Sequence, residues 1–221
     1  MICSVACSLR WSKRHETLPA QWFRGPVRSK VAELSAAVAE VDRFFGVIAA
    51  LPTANDTFDL GVKRDLERRR TMLSEHALRQ PADDWPLGPC GWTHGDFQYR
   101  NLLWSEGRLA AILGWDWVGV RALADEVART LAVQFVHEDG VMDLPRVAAF
   151  TAAYRAVVPL NNEQLVDAVR RQWWRWATDL WPLGWHYEGG NSSCDALWSC
   201  QAQQLAWWTE HFNEVEVAVT G

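Results

Sequence analysis

His94-Gly95-Asp96-Phe97-Gln98-Tyr99-Arg100-Asn101 is the stretch that organises the reading of this chain. It sets a carboxylate five residues before a carboxamide, directly after a His-Gly pair. Glycine permits a sharp backbone turn, so one short loop can carry both side chains. Their chemistries differ. An ionised Asp only accepts hydrogen bonds, and Asp96 can take a proton from a hydroxyl. An Asn amide oxygen is a hard donor of the kind Mg²⁺ prefers, which makes Asn101 a candidate metal ligand. The plain alternative for Asp96 is a turn residue capping nearby amides, and for Asn101 simply a turn residue.

Outward from this loop, Leu102-Leu103-Trp104 and Leu109 to Leu113 are short apolar runs around Ser105-Glu106-Gly107, the pattern of a hairpin. Upstream, Val31, Leu34, Val38, Val41, Phe44, Phe45 and Ile48 recur at helical offsets from Ser29 onward, with Pro52 as the stop. Asp65 to Leu78 is a second helical stretch, with Arg68-Arg69-Arg70 largely outward. Downstream, helices are expected over Leu123 to His137 and Pro145 to Val157. A further one follows Asn162 as N-cap, ends at Pro182-Leu183-Gly184 and carries the stripe Leu165, Val166, Val169, Trp173, Trp176 and Leu180. Ser192 or Ser193 can cap a last helix bearing Leu197, Leu205, Trp208 and Phe212. The fold class is therefore mainly α with a small β-hairpin. Residues 1–27 form an atypical N-terminal segment without clear period, and residues 28–221 a helical lobe.

The bulk numbers narrow the function. A net charge of −5 argues against a general nucleic-acid binder, which needs a basic face to neutralise phosphates. No apolar run is long enough for a transmembrane helix, so no membrane partner is expected. The five cysteines are odd in number and lack C-x-x-C spacing, which reads as reduced thiols in the cytoplasm.

With Gly after the His, the octet resembles the catalytic loop of the aminoglycoside phosphotransferase and choline kinase family, a variant of the protein-kinase H-R-D-x-x-x-x-N loop. The resemblance continues through Leu102-Leu103-Trp104, Gly107 to Leu113, Trp115-Asp116-Trp117 and Glu126-Val127-Ala128-Arg129. It is clear over residues 90–135 and extends over 31–221. It implies a protein-kinase-like C-terminal helical lobe, with ATP and Mg²⁺ as cofactors and transfer of the γ-phosphoryl group to a hydroxyl of a small-molecule acceptor. It implies Asp96 as base and Asn101 as metal ligand, with His94 holding the loop and Glu126 buttressing it. The alternative for Glu126 is a solvent-facing helix carboxylate. Arg100 either reaches a phosphate or forms a surface ion pair.

Two departures stand against the family pattern. The chain has no G-x-G-x-x-G and only three lysines, Lys13, Lys30 and Lys63, none on a strand pattern. The nucleotide-binding small lobe is not visible, which leaves three readings: a fragment whose true start lies upstream, a degenerate paralogue that binds without phosphorylating, or a helical lobe put to other chemistry; a second chain could also supply the missing lobe. At the position of the family's metal-binding Asp stands Gly114. Read as an extended segment, Asp116 faces the same way but lies roughly 6.5 Å further on, so it could serve the metal only through water or a backbone shift.

Tryptophan is the compositional outlier, fifteen in all, eight of them between Trp173 and Trp208. No Lys or Arg follows Arg175, while Asp179, Glu188, Asp195, Glu210, Glu214 and Glu216 are acidic. One reading makes Trp173, Trp176, Trp208 and Glu210 the wall of a site for a cationic acceptor, such as an aminoglycoside or another amine-bearing alcohol. The other makes the tryptophans helix packing and the acids ordinary surface.

Overall fold

The computed structural model describes residues 27–51 and 56–221. Most of the N-terminal segment, Pro52, Lys13, Cys3 and Cys7 lie outside the described residues. The rest is mostly helical, as the periodicities indicate, and shares one hydrophobic core.

Helix α1 (Leu34–Ala49) buries Ala37, Val41, Phe44 and Ile48. It starts later than its apolar pattern because the lead-in is held straight. Asp84 accepts from the Ser29 N–H through its carbonyl and from the Val31 N–H through its carboxylate, at 2.6 and 2.8 Å. Helix α2 (Thr57–Glu75) starts well before Asp65, because Asp56 caps it by accepting from the Asp59 N–H at 2.8 Å. Arg69 is not outward as the triplet suggested. It is buried over the Trp198 ring at 4.6 Å, it donates to the Asp179 carbonyl, and burial lowers its pKa to about 10.

Four short strands follow. The hairpin is β2 (Leu102–Ser105) and β3 (Arg108–Ile112). The sequence pattern did not reveal the other pair, β1 (Cys90–Thr93) with β4 (Gly119–Ala122), antiparallel in the register Cys90↔Ala122 and Thr93↔Gly119. Four residues reading Cys-Gly-Trp-Thr show no usable alternation. The two pairs bracket the octet and close it into a loop.

Helix α3 (Leu123–Gln134) leaves β4 directly and packs against α5 (Asn162–Thr178). Helix α4 (Leu144–Arg155) lies between them in sequence. The cap of α5 is Asn161, one residue before the expected one, in a reciprocal capping box with Gln164. Helix α5 stops at Thr178. Pro182 ends nothing: it sits in the first turn of a new short helix, α6 (Trp181–Tyr187), where its missing N–H costs no intrahelical bond. The expected last helix is two, α7 (Asp195–Glu210) and α8 (Phe212–Thr220), broken at His211. Among the described residues, no helix is long and apolar enough to cross a membrane.

Trp173, Trp174, Trp198 and Trp208 are fully buried. The Trp173 indole N–H donates to the Thr209 hydroxyl and that of Trp174 to the Ala32 carbonyl, at 3.0 and 2.8 Å. Partnered indoles can enter a core without an orphaned donor. Trp173→Ala should therefore cost about 3–5 kcal/mol in urea unfolding. Trp185→Ala, at a half-exposed ring, should cost less than about 1 kcal/mol. Equal losses at the two positions would contradict this placement of the core.

Candidate active site

The octet forms a tight loop stapled from behind by α3. Glu126, in the first turn of that helix, turns its carboxylate to the backbone N–H groups of His94 and Gly95 at 3.1 and 3.0 Å. This is the buttress reading, not the solvent-facing one. Burial raises the Glu126 pKa, against the pull of these donors and of the Arg129 charge. Gly95 sits at φ +80, and a Cβ there would lie 2.3 Å from the Trp117 carbonyl oxygen, so only glycine fits.

His94 is buried and holds the loop. Its Nδ1 accepts from the Asp96 N–H at 3.2 Å and its Nε2 lies 2.7 Å from the Leu113 carbonyl. An accepting Nδ1 places the ring proton on Nε2, donating to Leu113. The ring thus ties the octet loop to the exit of the hairpin.

Asp96 is held on both oxygens. Arg129 meets Oδ1 at 2.5 Å, while the Gln98 and Asn101 amides donate to Oδ2 at 2.9 Å. Arg129 also donates from Nε to the Gly95 carbonyl at 2.6 Å. Burial works to raise the Asp96 pKa, but these donors and the Arg129 charge outweigh it, and the carboxyl lies below the usual aspartate range. Arg129 and Gln98 were not singled out by the sequence reading. Arg129 had a signal, since it stands three residues after Glu126 on one helix face.

Asn101 is beside Asp96, as the spacing suggested, but its amide nitrogen is turned onto Asp96, at 2.8 Å from the backbone carbonyl and 2.9 Å from the carboxylate. Gly114 lies against it: at φ +75, its added Cβ would meet the Asn101 amide atoms at 2.8–2.9 Å. The segment that follows is not extended. Trp115–Trp117 is a 3₁₀ turn, so the alternation used to orient Asp116 does not apply. Asp116 is exposed and makes no hydrogen bond to Asp96 or Asn101. Arg100 is exposed and donates to the Tyr99 hydroxyl at 3.0 Å, reaching neither an acid nor the loop interior.

These donors do not fit a protein-held Mg²⁺ site. Such sites use one or two carboxylates, and here the Asp96 carboxylate is engaged by Arg129, the Asn101 amide nitrogen is turned onto Asp96, and Asp116 is exposed. No cluster of three His, Cys, Asp or Glu suited to a metal occurs among the described residues.

The tryptophan wall is corrected. Trp173 and Trp208 are 0% and 1% exposed and offer no face to a ligand. Trp176 packs edge-on against Trp208, with ring centroids 6.0 Å apart. Glu210 is exposed and lines a separate groove between α2 and α7, of about 870 Å³, with Asp65, Glu67 and Glu75.

With this geometry in view, the comparisons with known proteins are consistent. A model of the phosphotransferase enzyme family (APH) matches residues 31–160, more than half of the chain. The chain belongs to that family. No curated protein matches it. The match takes in the octet, Gly114, Glu126 and Arg129 and stops before α5. The family generally uses ATP and Mg²⁺.

Two outcomes test the site. Asp96, with its lowered pKa, contributes stability that is complete above the ordinary value of about 3.9 and is lost as the pH falls through the lower folded value. Arg129→Met should move the Asp96 titration up, followed by carboxyl-carbon NMR, and should shrink that acid-side loss in urea unfolding. An unmoved titration would contradict the clamp. Gly114→Asp puts a carboxylate against Asn101 in a conformation that Asp tolerates at a cost of about 1 kcal/mol. Its Tm should fall without metal and rise with added Mg²⁺, while the parent Tm stays insensitive to Mg²⁺. An equal rise in the parent would show that the native donor set suffices.

Proposed function

We propose that this protein is an ATP-dependent phosphotransferase that moves the γ-phosphoryl group to a hydroxyl of a small amine-bearing acceptor. The observation that carries the reading is the Asp96 carboxylate, held ionised at the mouth of a loop whose backbone is pinned by Glu126. Phosphoryl transfer asks mainly for positioning and charge stabilisation. Asp96 orients the acceptor hydroxyl and receives its proton. A depressed pKa suits that role, because a largely dissociative transition state demands little basicity from the protein. Arg129 aims the carboxylate and balances its charge. An ATP-dependent reaction is in keeping with a cytoplasmic protein.

Nucleotide and metal enter this reading together. The described residues carry no glycine-rich loop, and the metal-binding position is Gly114. The nucleotide therefore needs contacts beyond the described residues, and a second chain is one source. The hairpin side offers a surface for it: Trp92, Trp104, Trp115 and Trp117 are all exposed there.

A second reading is favoured by Gly114 and by the Asn101 amide tied to Asp96. It makes the protein a catalytically degenerate binder of a small molecule or partner. One experiment separates the two. ADP release is followed with ATP and Mg²⁺ over a panel of small alcohols, for the parent chain and for Asp96→Asn. Phosphotransfer predicts acceptor-dependent ADP release that falls about 10²–10⁴-fold in the variant. Turnover untouched by Asp96→Asn, or no turnover with any acceptor, sinks the catalytic reading and leaves the binding one.

A further inference from the structure

A cavity of about 310 Å³ opens beside the catalytic loop, on the α3–α5 side. Arg28, Arg121, Arg129 and Arg175 line it, with the carboxylates of Asp125 and Glu126, and Gly95 joins it to the octet. Arg28 is paired with Asp84 and Arg129 with Asp96, so the remaining formal charges, two of each sign, cancel. Hydrogen-bonding capacity does not.

The carboxylates of the loop are occupied. Asp96 takes Arg129, Gln98 and Asn101, and Glu126 takes two backbone N–H groups. The guanidinium groups are not used up. Both hydrogen bonds of Arg121 leave from Nη1, to Thr93 and Trp117 at 2.9 Å, so Nε and Nη2 have no acceptor among the described residues. Arg129 spends Nε and Nη2 and keeps Nη1. Arg175 spends both Nη atoms, on Gln172 and Ser29, and keeps Nε. Burial lowers the Arg175 pKa, and the charges of Arg129 and Arg121 lower it further, against the opposite pull of Asp125 and Asp179. Three guanidinium groups that repel one another across a small space favour an anion between them.

One acceptor is also left unfilled. Asp125 is 9% exposed, and its Oδ1 is buried without a hydrogen-bond partner among the described residues. A buried carboxylate oxygen without a donor costs free energy, and a ligand N–H removes that cost. The neighbouring Ser29 hydroxyl accepts from Arg175 at 3.1 Å and keeps its own proton, which pulls the Asp125 pKa down against burial without forming a hydrogen bond to Oδ1.

We propose that this cavity is the acceptor site and that it takes a small hydroxylated amino acid, with its carboxylate on the Arg121 and Arg175 guanidinium groups, its ammonium on Asp125 and its hydroxyl toward Gly95, where the cavity meets the octet. The assignment rests on the phosphotransferase reading for the word acceptor, and on the cavity alone for the ligand. Size supports it: about 310 Å³ is at the lower end of small-molecule sites, enough for one amino acid and too little for a multi-ring sugar. Charge supports a carboxylate over a phosphate ester. Two carboxylates already line the cavity, so a dianion is penalised where a zwitterion is matched on both ends. A polycation such as an aminoglycoside meets four arginines.

Titration calorimetry of the full chain tests this with three probes that separate the two ends: L-serine carries both charges, glycolate only the carboxylate, ethanolamine only the ammonium. L-serine should bind, glycolate about tenfold more weakly and ethanolamine not at all. Arg175→Lys keeps the charge, loses the planar fork and should weaken L-serine about tenfold. Asp125→Asn should weaken L-serine while leaving glycolate unchanged, which general damage to the fold would not do; thermal unfolding of each variant checks folding directly. Ethanolamine binding as well as L-serine, equal losses of L-serine and glycolate in Asp125→Asn, or no binding of any probe at millimolar concentration would overturn the proposal. ADP release is measured separately. L-serine binding without ADP release upholds the site and removes phosphotransfer, whereas ADP release with ethanolamine and no L-serine binding removes the site and leaves phosphotransfer standing.

Discussion

The carboxylate of Glu126 under the His94-Gly95 backbone is the contact on which the rest of the site depends. Two N–H groups that lead into the octet have no strand or helix partner to use. A buried side-chain acceptor satisfies both and fixes the loop's direction at once. Because Glu126 stands in the first turn of α3, the loop inherits the rigidity of a helix packed into the core. Three residues on, Arg129 reaches the same loop from the same face and takes hold of Asp96. One helical turn thus supplies both the anchor of the backbone and the aim of the carboxylate. The close contact that only Gly95 permits completes the arrangement, since the Trp117 carbonyl oxygen occupies the space of any larger residue.

Charge in this region is arranged in depth. Asp125 is buried and Glu126 half-buried, and desolvation disfavours the ionised form of both, while Asp96 is shifted the other way by two amides and Arg129. Neighbouring carboxyls with opposed shifts are a recurring feature of reactive sites, though structural ion networks produce them too. Here the separation follows from partners. Asp96 meets a guanidinium and faces the loop mouth, whereas Glu126 faces backbone and core. Gly114 lies against Asn101 and takes no part in this carboxylate arrangement.

The tryptophans do structural work away from the loop. Trp173 and Trp174 on α5 and Trp198 and Trp208 on α7 fill the space that joins these helices to α2 and α8. Large rings allow few helices to enclose a dense core. A separate set, Trp92, Trp104, Trp115 and Trp117, lies exposed around the hairpin. The same residue type thus serves two ends, and burial alone tells them apart.

The sequence by itself determined the local features. The Asp96–Asn101 spacing, the hairpin, the helical stripes and the capping residues near Asn161 all lie within a few positions of one another, and local geometry suffices to read them. Tertiary structure decided what is long-range. The pairing of β1 with β4, the convergence of Arg121, Arg129 and Arg175 on one cavity, and the burial of Trp173 and Trp208 join residues far apart in the chain. Helical period places a tryptophan on an apolar face without saying whether another helix or a ligand covers it. Asp116 shows the same limit at short range. Its orientation was argued from an extended backbone, and a left-handed Gly114 followed by a 3₁₀ turn gave another. The reason is physical: propensity and spacing act within a turn or two, while charge convergence and burial are set by how finished elements pack.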